Sequence, residues 1–215
     1  PDNIKQIGFY AALDQTSPYK PRFAGLGSLG YWIIGMFGTR RPRVLSTDHI
    51  EREEPAIDTS STLGGIEYYD GLLVDNDARF VFSFVRAAID AGAAAANYVE
   101  LLSAERHAGR WTARLRDVET GDEFTTTATT IVNAAGPFVD DVNQQWGLAT
   151  AHRIVYSKGV HLVVPRLTTS DHHRVLAFFD DTQRLFYVIP MGRRSVIGTT
   201  DTRVDSPHTQ VTSDE

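Results

Sequence analysis

The sequence predicts a mixed α/β (α+β) chain, and three features of its pattern carry that prediction. Over residues 80–89 apolar side chains recur at helical spacing and are followed by a glycine. Residues 110–118 and 123–130 alternate between apolar and polar side chains around a Glu-Thr-Gly-Asp turn, which is typical of a hairpin with one wet face. From Ile154 onward, short β-branched or aromatic runs alternate with turn residues, as in an antiparallel sheet.

The remaining elements complete part of an α/β sheet. A helix begins after Asp75 or Asn76, because either side chain can cap its first turn. The apolar residues 93–102 predict a buried strand, on the strength of their length and the preceding glycine. Residues 130–137 predict a second strand that stops at Gly-Pro, and a helix follows near residues 139–146. Helix, strand, polar meander, strand and helix place the meander in the crossover position.

Composition narrows the class of protein. The formal net charge of −6 argues against a nucleic-acid partner, which would need a basic stripe. The chain has no cysteine, so it has no disulfide framework, and an intracellular, cytoplasmic location is favoured. No signal peptide is predicted.

The apolar residues 23–37 are interrupted by glycines and are too short to span a bilayer. We expect them to pack in the core, with a helix on a membrane surface as the alternative. Inside this stretch, residues 25–30 read Gly-Leu-Gly-Ser-Leu-Gly and match a dinucleotide-binding motif, with Asp48 in the place of a ribose-binding acid. That mechanism needs a buried strand before the first glycine, whereas Pro18 and Pro21 precede it here. We therefore reject a phosphate-binding role for the motif.

Four further motifs follow one another along the chain. The first is Gly-Gly-Ile-Glu-Tyr-Tyr-Asp-Gly at residues 64–71, with Val-Asp-Asn-Asp-Ala-Arg at residues 74–79. The second is Val-Asn-Ala-Ala-Gly-Pro at residues 132–137. The third is Ser-Lys-Gly-Val-His-Leu-Val-Val-Pro at residues 157–165. The fourth is Tyr-Val-Ile-Pro at residues 187–190, leading to Ile-Gly-Thr-Thr-Asp-Thr at residues 197–202.

In this order and at this spacing, the motifs resemble the FAD-dependent glycerol-3-phosphate dehydrogenase family, a branch of the D-amino-acid-oxidase-like flavoproteins. The resemblance is firm over residues 63–205. It implies that residues 63–150 form the second part of a Rossmann-like FAD-binding domain and residues 151–215 an antiparallel sheet of the substrate-binding lobe. Residues 1–62 would be a helical segment of that same lobe.

The resemblance also implies which residues approach the FAD. The turn against the cofactor would consist of Ala134, Ala135, Gly136 and Pro137. Small side chains allow a backbone to come close to a flat or phosphorylated ligand, although the same turn is compatible with a purely packing role. The strand around Val99 and Leu101 would lie beside the adenine, and Ser157 and Gly159 would add cofactor contacts.

Oxidation of a phosphorylated polyol needs a base for the hydroxyl proton and a hydride acceptor. His161 is the predicted base, or it orients the substrate hydroxyl. Lys158 would favour reduced flavin or hold a substrate oxygen. Thr200 and Asp201 would close the substrate site, with a turn-capping role as the alternative. Glu67 and its neighbours are interpreted as part of a strand rather than as catalytic groups, and no metal site is predicted.

The implied reaction converts sn-glycerol 3-phosphate to dihydroxyacetone phosphate, with electrons passed from FAD to a membrane quinone. An oxidase that uses oxygen, or a non-catalytic module for assembly or membrane docking, are the alternatives. The family's glycine-rich strand–turn–helix and its later cationic segments do not appear in the sequence, so we expect an internal fragment that binds FAD weakly by itself. Peripheral contact with the inner face of the cytoplasmic membrane is allowed, and the oligomeric state stays open.

Overall fold

The computed structural model describes residues 3–167 and 173–209, which form twelve strands and four α-helices. In chain order the elements are β1 (Ile4–Asp14), α1 (Pro21–Ile34), β2 (Arg43–Leu45), α2 (Thr47–Glu53), β3 (Thr62–Leu73), α3 (Asp77–Asp90), β4 (Val99–His107), β5 (Arg110–Asp117), β6 (Glu123–Ala128), a 3-10 helix (Gly136–Phe138), α4 (Val139–Gln145), β7 (Tyr156–Lys158), β8 (Leu162–Pro165), β9 (Arg174–Phe179), β10 (Leu185–Met191), β11 (Arg194–Gly198) and β12 (Thr202–Val204). This confirms the predicted mixed α/β class.

Two compact units divide the chain. The first joins the start of the chain, up to residue 80, with residues 159–202, and the second joins residues 81–158 with the segment that begins at Arg203. The expected segment 63–150 therefore does not coincide with a unit. Its first strand, β3, lies in the sheet of the first unit, because it is hydrogen-bonded along its length to β1.

The first unit is built on a seven-stranded sheet in the order β2-β3-β1-β9-β10-β11-β8. All neighbours are antiparallel except β1 and β9, which run parallel. Successive residues of β1 point to opposite faces, so the sheet has a core on each side. Tyr10 belongs to the cluster that also includes Ile50 of α2, whereas Ala11 belongs to the cluster that includes Ile66.

Strand β1 was not predicted, and the expectation of a helical segment over residues 1–62 is wrong there. Residues on both faces of β1 are buried, including Ile7, Tyr10, Ala11 and Leu13. A strand that is buried on both sides lacks the apolar–polar alternation by which a strand is recognised in a sequence.

Helix α1 also differs from expectation, because none of its residues is buried. The helix contacts the sheet through a small residue: a Cβ added at Gly25 would lie 2.3 Å from Cγ2 of Val44. Its large apolar side chains consequently remain outside, with Phe23 65% and Ile34 83% exposed. Within residues 3–167 and 173–209, no helix is long and apolar enough to cross a membrane.

The second unit contains the predicted hairpin within a three-stranded antiparallel sheet, β4-β5-β6. Ala104 and Ala113 are buried in it, and the Trp111 ring lies 5.8 Å from that of Trp146. Helix α4 is tied to the sheet by Gln145, whose Nε2 donates to the carbonyl of Leu102 over 2.6 Å.

The predicted signals of α3 are confirmed at both of its ends. The Asn76 side chain accepts a hydrogen bond from the amide of Arg79 over 2.8 Å, which caps the helix. Gly92, at φ +93°, donates its amide to Ile89 and ends the helix. The antiparallel sheet predicted beyond Ile154 is likewise confirmed by β8, β9, β10 and β11, whose neighbouring strands pair antiparallel.

Of two other predicted strands, that over residues 93–102 is wrong in its first six residues, and that over residues 130–137 is wrong throughout. Residues 93–98 are exposed and irregular, and the strand begins only at Val99, where pairing with Asp117 of β5 starts. Alanine is a weak strand former, so the run that precedes Val99 has no local reason to extend. Residues 130–135 form no strand, and Val132 is 81% exposed. In the part of the chain that the structure describes, no neighbouring strand offers this segment a hydrogen-bonded partner.

A cluster of charged side chains lies inside the first unit. Arg174 of β9, which is 5% exposed, contacts the carboxylates of Glu53 (2.7 Å), Glu54 (3.2 Å) and Glu67 (3.6 Å). Its guanidinium also stacks over the ring of Tyr10, 4.5 Å from the centroid. A buried charge is tolerated only when it is paired, and these contacts join strands β1, β3 and β9 to the end of α2.

Arg43 of β2 supplies the second cation of the cluster. Its Nε donates to Glu67 over 2.6 Å and its Nη2 to Glu53 over 2.8 Å. Space for Glu67 depends on Gly8 of β1, because a Cβ at that position would lie 2.8 Å from Glu67 Oε1. Glu67 therefore has a structural role in β3, as its interpretation as a strand residue implies.

Glu53→Gln is expected to weaken the pH dependence of stability. Burial alone raises the pKa of Glu53, but hydrogen bonds from Arg174 and Arg43 outweigh burial and lower the pKa from 4.5 to about 2. Because the folded-state pKa is the lower one, Glu53 stabilises the fold above about pH 4.5, and this contribution is lost as the pH falls toward 2. The parent chain should lose on the order of 3 kcal/mol more than the variant over that window.

Urea denaturation monitored by circular dichroism, from neutral pH down to about pH 2.5, measures this difference. Glu51→Gln is the matched control, since Glu51 is an exposed carboxylate of the same helix that accepts a hydrogen bond from the Thr59 hydroxyl. It should follow the parent curve. If the free energy of unfolding falls equally with pH in the parent and in Glu53→Gln, Glu53 contributes nothing to the loss of stability in acid.

Candidate active site

Two of the recognised motifs meet in the first unit. The amide of Val160 donates to Thr200 Oγ1 over 3.0 Å, and the amide of Thr200 donates to the carbonyl of Val160 over 3.3 Å. This reciprocal pair joins the segment that carries His161 to the segment that follows β11. The structure thus brings His161 and Thr200, both predicted as site residues, into neighbouring positions.

Glycines permit this close approach on both sides. A Cβ added at Gly159 would lie 2.4 Å from Thr199 Oγ1 and 3.1 Å from the carbonyl oxygen of Thr200. A Cβ added at Gly198 would lie 2.7 Å from Cδ2 of the His161 imidazole. The distances to Thr199 Oγ1 and His161 Cδ2 are shorter than a Cβ atom adopts, so a side chain at position 159 or 198 would displace the Thr199 or His161 side chain. For Gly159 this is a reason for glycine that is separate from the predicted cofactor contact.

Beside these segments, the first unit contains a cavity of about 210 Å³. Most of its lining comes from the ends of β10 and β11 and from the residues that flank His161: Val160, Leu162, Phe186, Ile197, Thr199 and Thr200. His161 and Asp201 are both exposed, whereas Thr200 is half-buried. His161 does not line this cavity, although the residues before and after it do.

Ser157 and Lys158 belong to the second unit, as the last residues of β7. Strand β7 forms a two-stranded sheet with β12. Ser157 is exposed and Lys158 is half-buried. Residues 157–158 of the third motif therefore belong to the second unit, and residues 159–165 belong to the first.

The predicted cofactor turn lies in the second unit and is organised by Asn133. Its Nδ2 donates to the carbonyl of Val139 over 3.0 Å and to Asn143 Oδ1 over 2.9 Å, and its Oδ1 accepts from the amide of Ala135 over 3.2 Å. These bonds fasten the turn to α4. Ala134, Gly136 and Pro137 of the turn are exposed and Ala135 is half-buried.

The surface of this turn is open at Gly136. Gly136 adopts φ +56°, and within residues 3–167 and 173–209 no atom beyond its immediate chain neighbours lies within 4 Å of a Cβ placed there. Ala135 precedes this glycine and Pro137 follows it, so no large side chain of the turn shields its backbone. The donor and acceptor groups on offer are those of the main chain, as expected for a small-residue contact with a cofactor.

Val99 and Leu101 lie at the start of β4 in the same unit. They are half-buried and stand opposite Asp117 and Leu115 of β5. Glu100, between them, is paired with Arg116, so the polar side chains of this strand end point to a neighbour on the sheet. Main-chain contact to a ligand is what the position offers, as the resemblance implied.

Asn133 was missed as a site residue, although it lies inside a recognised motif. An asparagine two residues before a turn is a common former of side-chain-to-backbone bonds, and that signal was available in the sequence. Gly198 was missed as well, because its contact with His161 depends on which residue lies opposite it across the sheet.

The glycine motif at residues 25–30 lies within α1 and does not follow a buried strand, which agrees with its rejection as a phosphate-binding turn. Asp48 is in the first turn of α2. Across residues 3–167 and 173–209, no group of three or more His, Asp or Glu side chains is arranged to hold a metal ion.

Comparison with known proteins identifies close matches. The profile of a family described as "FAD dependent oxidoreductase" matches residues 21–215. The mitochondrial glycerol-3-phosphate dehydrogenase of Bos taurus is 34% identical over 182 residues, which cover 80% of this chain and 24% of the bovine protein. The chain thus spans about a quarter of the length of this curated relative.

Two solved structures share the fold. One is the glycerol-3-phosphate dehydrogenase from Bacillus halodurans complexed with FAD, with a TM-score of 0.73, 24% identity, and coverage of 94% of this chain and 36% of that chain. The other is the L-alpha-glycerophosphate oxidase from Mycoplasma pneumoniae with FAD bound, with a TM-score of 0.71, 16% identity, and coverage of 99% and 54%. At these identities the likeness shows the fold alone.

Asn133→Ala is expected to loosen the turn at residues 134–137. The substitution leaves the Val139 carbonyl, Asn143 and the Ala135 amide without their partner, which should cost about 1–3 kcal/mol of local stability. Hydrogen exchange at the Ala135 amide measures the effect directly. The control is Gln144→Ala, at an exposed residue of α4, the helix that contains Val139 and Asn143. Equal Ala135 protection in both variants would show that Asn133 does not organise the turn.

Proposed function

Because the chain belongs to the FAD-dependent oxidoreductase family, we propose that it forms part of an enzyme that oxidises sn-glycerol 3-phosphate to dihydroxyacetone phosphate. The observation that supports this most directly is the pairing of the His161 segment with the Thr199-Thr200 segment through Val160. These are the motifs by which the chain resembles the glycerol-3-phosphate dehydrogenases. The curated relative in cattle carries that activity in its name.

The chain is one portion of the proposed enzyme. It spans 24% of the bovine relative, and the glycine motif within α1 does not offer the strand–turn–helix that holds a pyrophosphate. FAD contacts are therefore shared between this chain and sequence outside it. Each 1.4 kcal/mol of lost contact weakens binding about tenfold, so the 215-residue chain should hold the cofactor poorly by itself.

The cofactor supplies the hydride acceptor when it is bound. The residues that would hold it are the turn of Ala134, Ala135, Gly136 and Pro137, the β4 backbone at Val99 and Leu101, and the third motif at Ser157 and Gly159. The exposed small-residue turn, with nothing near Gly136, fits this role.

In the proposed reaction, His161 accepts the proton of the substrate hydroxyl or orients that hydroxyl. Its ring nitrogens are suited to this exchange because imidazole changes its charge near neutral pH. Lys158 holds a substrate oxygen with its positive charge. Thr200 and Asp201 border the substrate, and the reciprocal bonds between Thr200 and Val160 keep this side of the site fixed.

A quinone is the proposed electron acceptor, and oxygen is the alternative. The structural relatives include both a dehydrogenase and an oxidase, so the acceptor has to be assigned by experiment. A cytoplasmic protein at the inner face of the membrane would meet the quinone there.

FAD binding by the 215-residue chain tests the shared-site proposal. After incubation with FAD and gel filtration, we expect little visible flavin absorption in the protein fraction. Bound flavin that is bleached by sn-glycerol 3-phosphate under anaerobic conditions would contradict the proposal, because the chain would then hold a complete site.

His161→Gln in the longer enzyme tests the reaction itself. The variant should slow anaerobic flavin reduction by sn-glycerol 3-phosphate on the order of 10²–10⁴-fold, while its FAD content stays unchanged. His152→Gln, at another exposed histidine, is the control. Reduction of both variants at the parent rate would remove His161 from the mechanism. No reduction of the parent enzyme by sn-glycerol 3-phosphate would refute the substrate.

A peripheral membrane contact is favoured by the exposed apolar side of α1. Phe23 and Ile34 are eleven residues apart, about three helical turns, and therefore lie on one face. Both are largely exposed, and Lys20 and Arg22 stand at the start of the helix. An apolar helical face with adjacent cations is the pattern of a helix in the surface layer of an anionic bilayer.

Phe23→Asp combined with Ile34→Asp should abolish this contact. Each buried apolar side chain is worth roughly 1.5–3 kcal/mol, so binding to phosphatidylglycerol-containing vesicles should fall by more than tenfold. Cosedimentation measures it. Val118→Asp, at an exposed valine of the second unit, is the control. Equal sedimentation of the double variant and the control would rule out α1 as the membrane contact.

A further inference from the structure

We infer that Gly198 is a positioning residue for His161. Because Gly198 has no side chain, the imidazole can lie against its backbone, and this contact fixes the ring for proton transfer. The inference rests on the proposed function, in which His161 handles the substrate proton. Its structural basis is the contact between the two residues: a Cβ at Gly198 would lie 2.7 Å from His161 Cδ2 and 3.2 Å from Cγ.

The sheet register explains why these residues meet. Strands β11 and β8 are antiparallel, and their last pair places Ile197 opposite Leu162. The next residues along each strand are Gly198 and His161, so they face each other directly across the ladder. Side chains in such positions stand about 4.5–5.5 Å apart at Cβ. Without a side chain on Gly198, the imidazole lies against its backbone.

The backbone on both sides of His161 is held. Leu162, after it, pairs with Ile197, while Val160, before it, exchanges hydrogen bonds with Thr200. Gly198 is itself held in register by pairing with Tyr187 of β10. What remains free is the side chain of His161, and the surface that limits it is the backbone of Gly198.

The limit that Gly198 sets on the position of the His161 ring is important if His161 acts as a base. A proton acceptor has to lie within hydrogen-bond reach of the proton that it takes, and a displacement of about 1 Å costs on the order of a hundredfold in rate. An alanine at position 198 would push the ring away while leaving its chemistry intact. Gly198 would therefore act through His161 and not on the substrate.

A second reason for glycine at position 198 is its φ of +151°, a value that side chains rarely allow. The experiment has to separate this backbone cost from the ring contact. Gly192, in the turn between β10 and β11, provides the matched control. It also has a positive φ, +58°, but a Cβ there would have no atom within 4 Å.

The first measurement uses the ¹³C-labelled 215-residue chain and the NMR signal of the His161 ring Cδ2–H, assigned by its loss in His161→Gln. Gly198→Ala should shift this signal, whereas Gly192→Ala should leave it in place. An unchanged ring signal in a folded Gly198→Ala chain overturns the inference.

If Gly198→Ala does not fold, the same substitution in a His161→Ala background decides. Removal of the ring removes His161 Cδ2 and Cγ, two of the three atoms nearest the new Cβ, and leaves only the carbonyl oxygen of Val160 at 3.0 Å, so it should restore folding. Failure to restore folding would show that the glycine serves the backbone alone and would overturn the inference.

In the longer holoenzyme, Gly198→Ala should lower kcat at least tenfold, with FAD content unchanged and KM for sn-glycerol 3-phosphate within twofold. Gly192→Ala should match the parent in all three. A shifted ring signal with an unchanged kcat overturns the positioning role. If His161→Gln itself reduces flavin at the parent rate, the proposed function fails, and a shifted ring signal would still establish the contact.

Discussion

The ion pairs of Arg174 are the interaction on which the first unit depends. This arginine comes from β9 and reaches carboxylates on α2 and β3, while its guanidinium covers Tyr10 of β1. Four elements that are distant in sequence thereby share one charge cluster. Removing a single member would leave the others charged and buried, so each member constrains the rest. The register of β1 against β9, and through β10 that of β11, is built on this part of the sheet.

The register of this sheet determines the arrangement of the candidate site in the first unit. β11 stands at fixed register between β10 and β8, so its end presents Gly198 and the threonines after it to the segment that begins β8. In the second unit, the turn at residues 134–137 is held by the side-chain amide of Asn133 and not by strand pairing. The segments around His161 and Thr200 are therefore positioned by strand pairing, whereas the turn at residues 134–137 is positioned by the hydrogen bonds of one side chain. This difference governs how each responds to substitution.

Local signals in the sequence predicted the elements that depend on local chemistry. The cap at Asn76, the stop at Gly92 and the hairpin of β5 and β6 each rest on residues close together in the chain. What depends on distant partners was not predictable in this way: β1 lacks alternation because both faces are covered, and Glu67 pairs with Arg174 more than a hundred residues away. In the candidate site, His161 and Thr200 were identified from motifs, whereas the role of Gly198 required knowledge of which residue faces it.

The parallel pairing of β1 with β9 also bears on how the chain folds as it is synthesised. Residues 8–11 pair with residues 174–177, so the sheet cannot close until the residues between these two strands have been synthesised. Contacts this distant in sequence are slow to form, and β1 waits with one edge unpaired and prone to association with other chains. The meander of residues 99–128 has only local pairings and can form while β1 is still waiting. Aggregation during expression should accordingly depend on β1 and on the time that passes before β9 is synthesised.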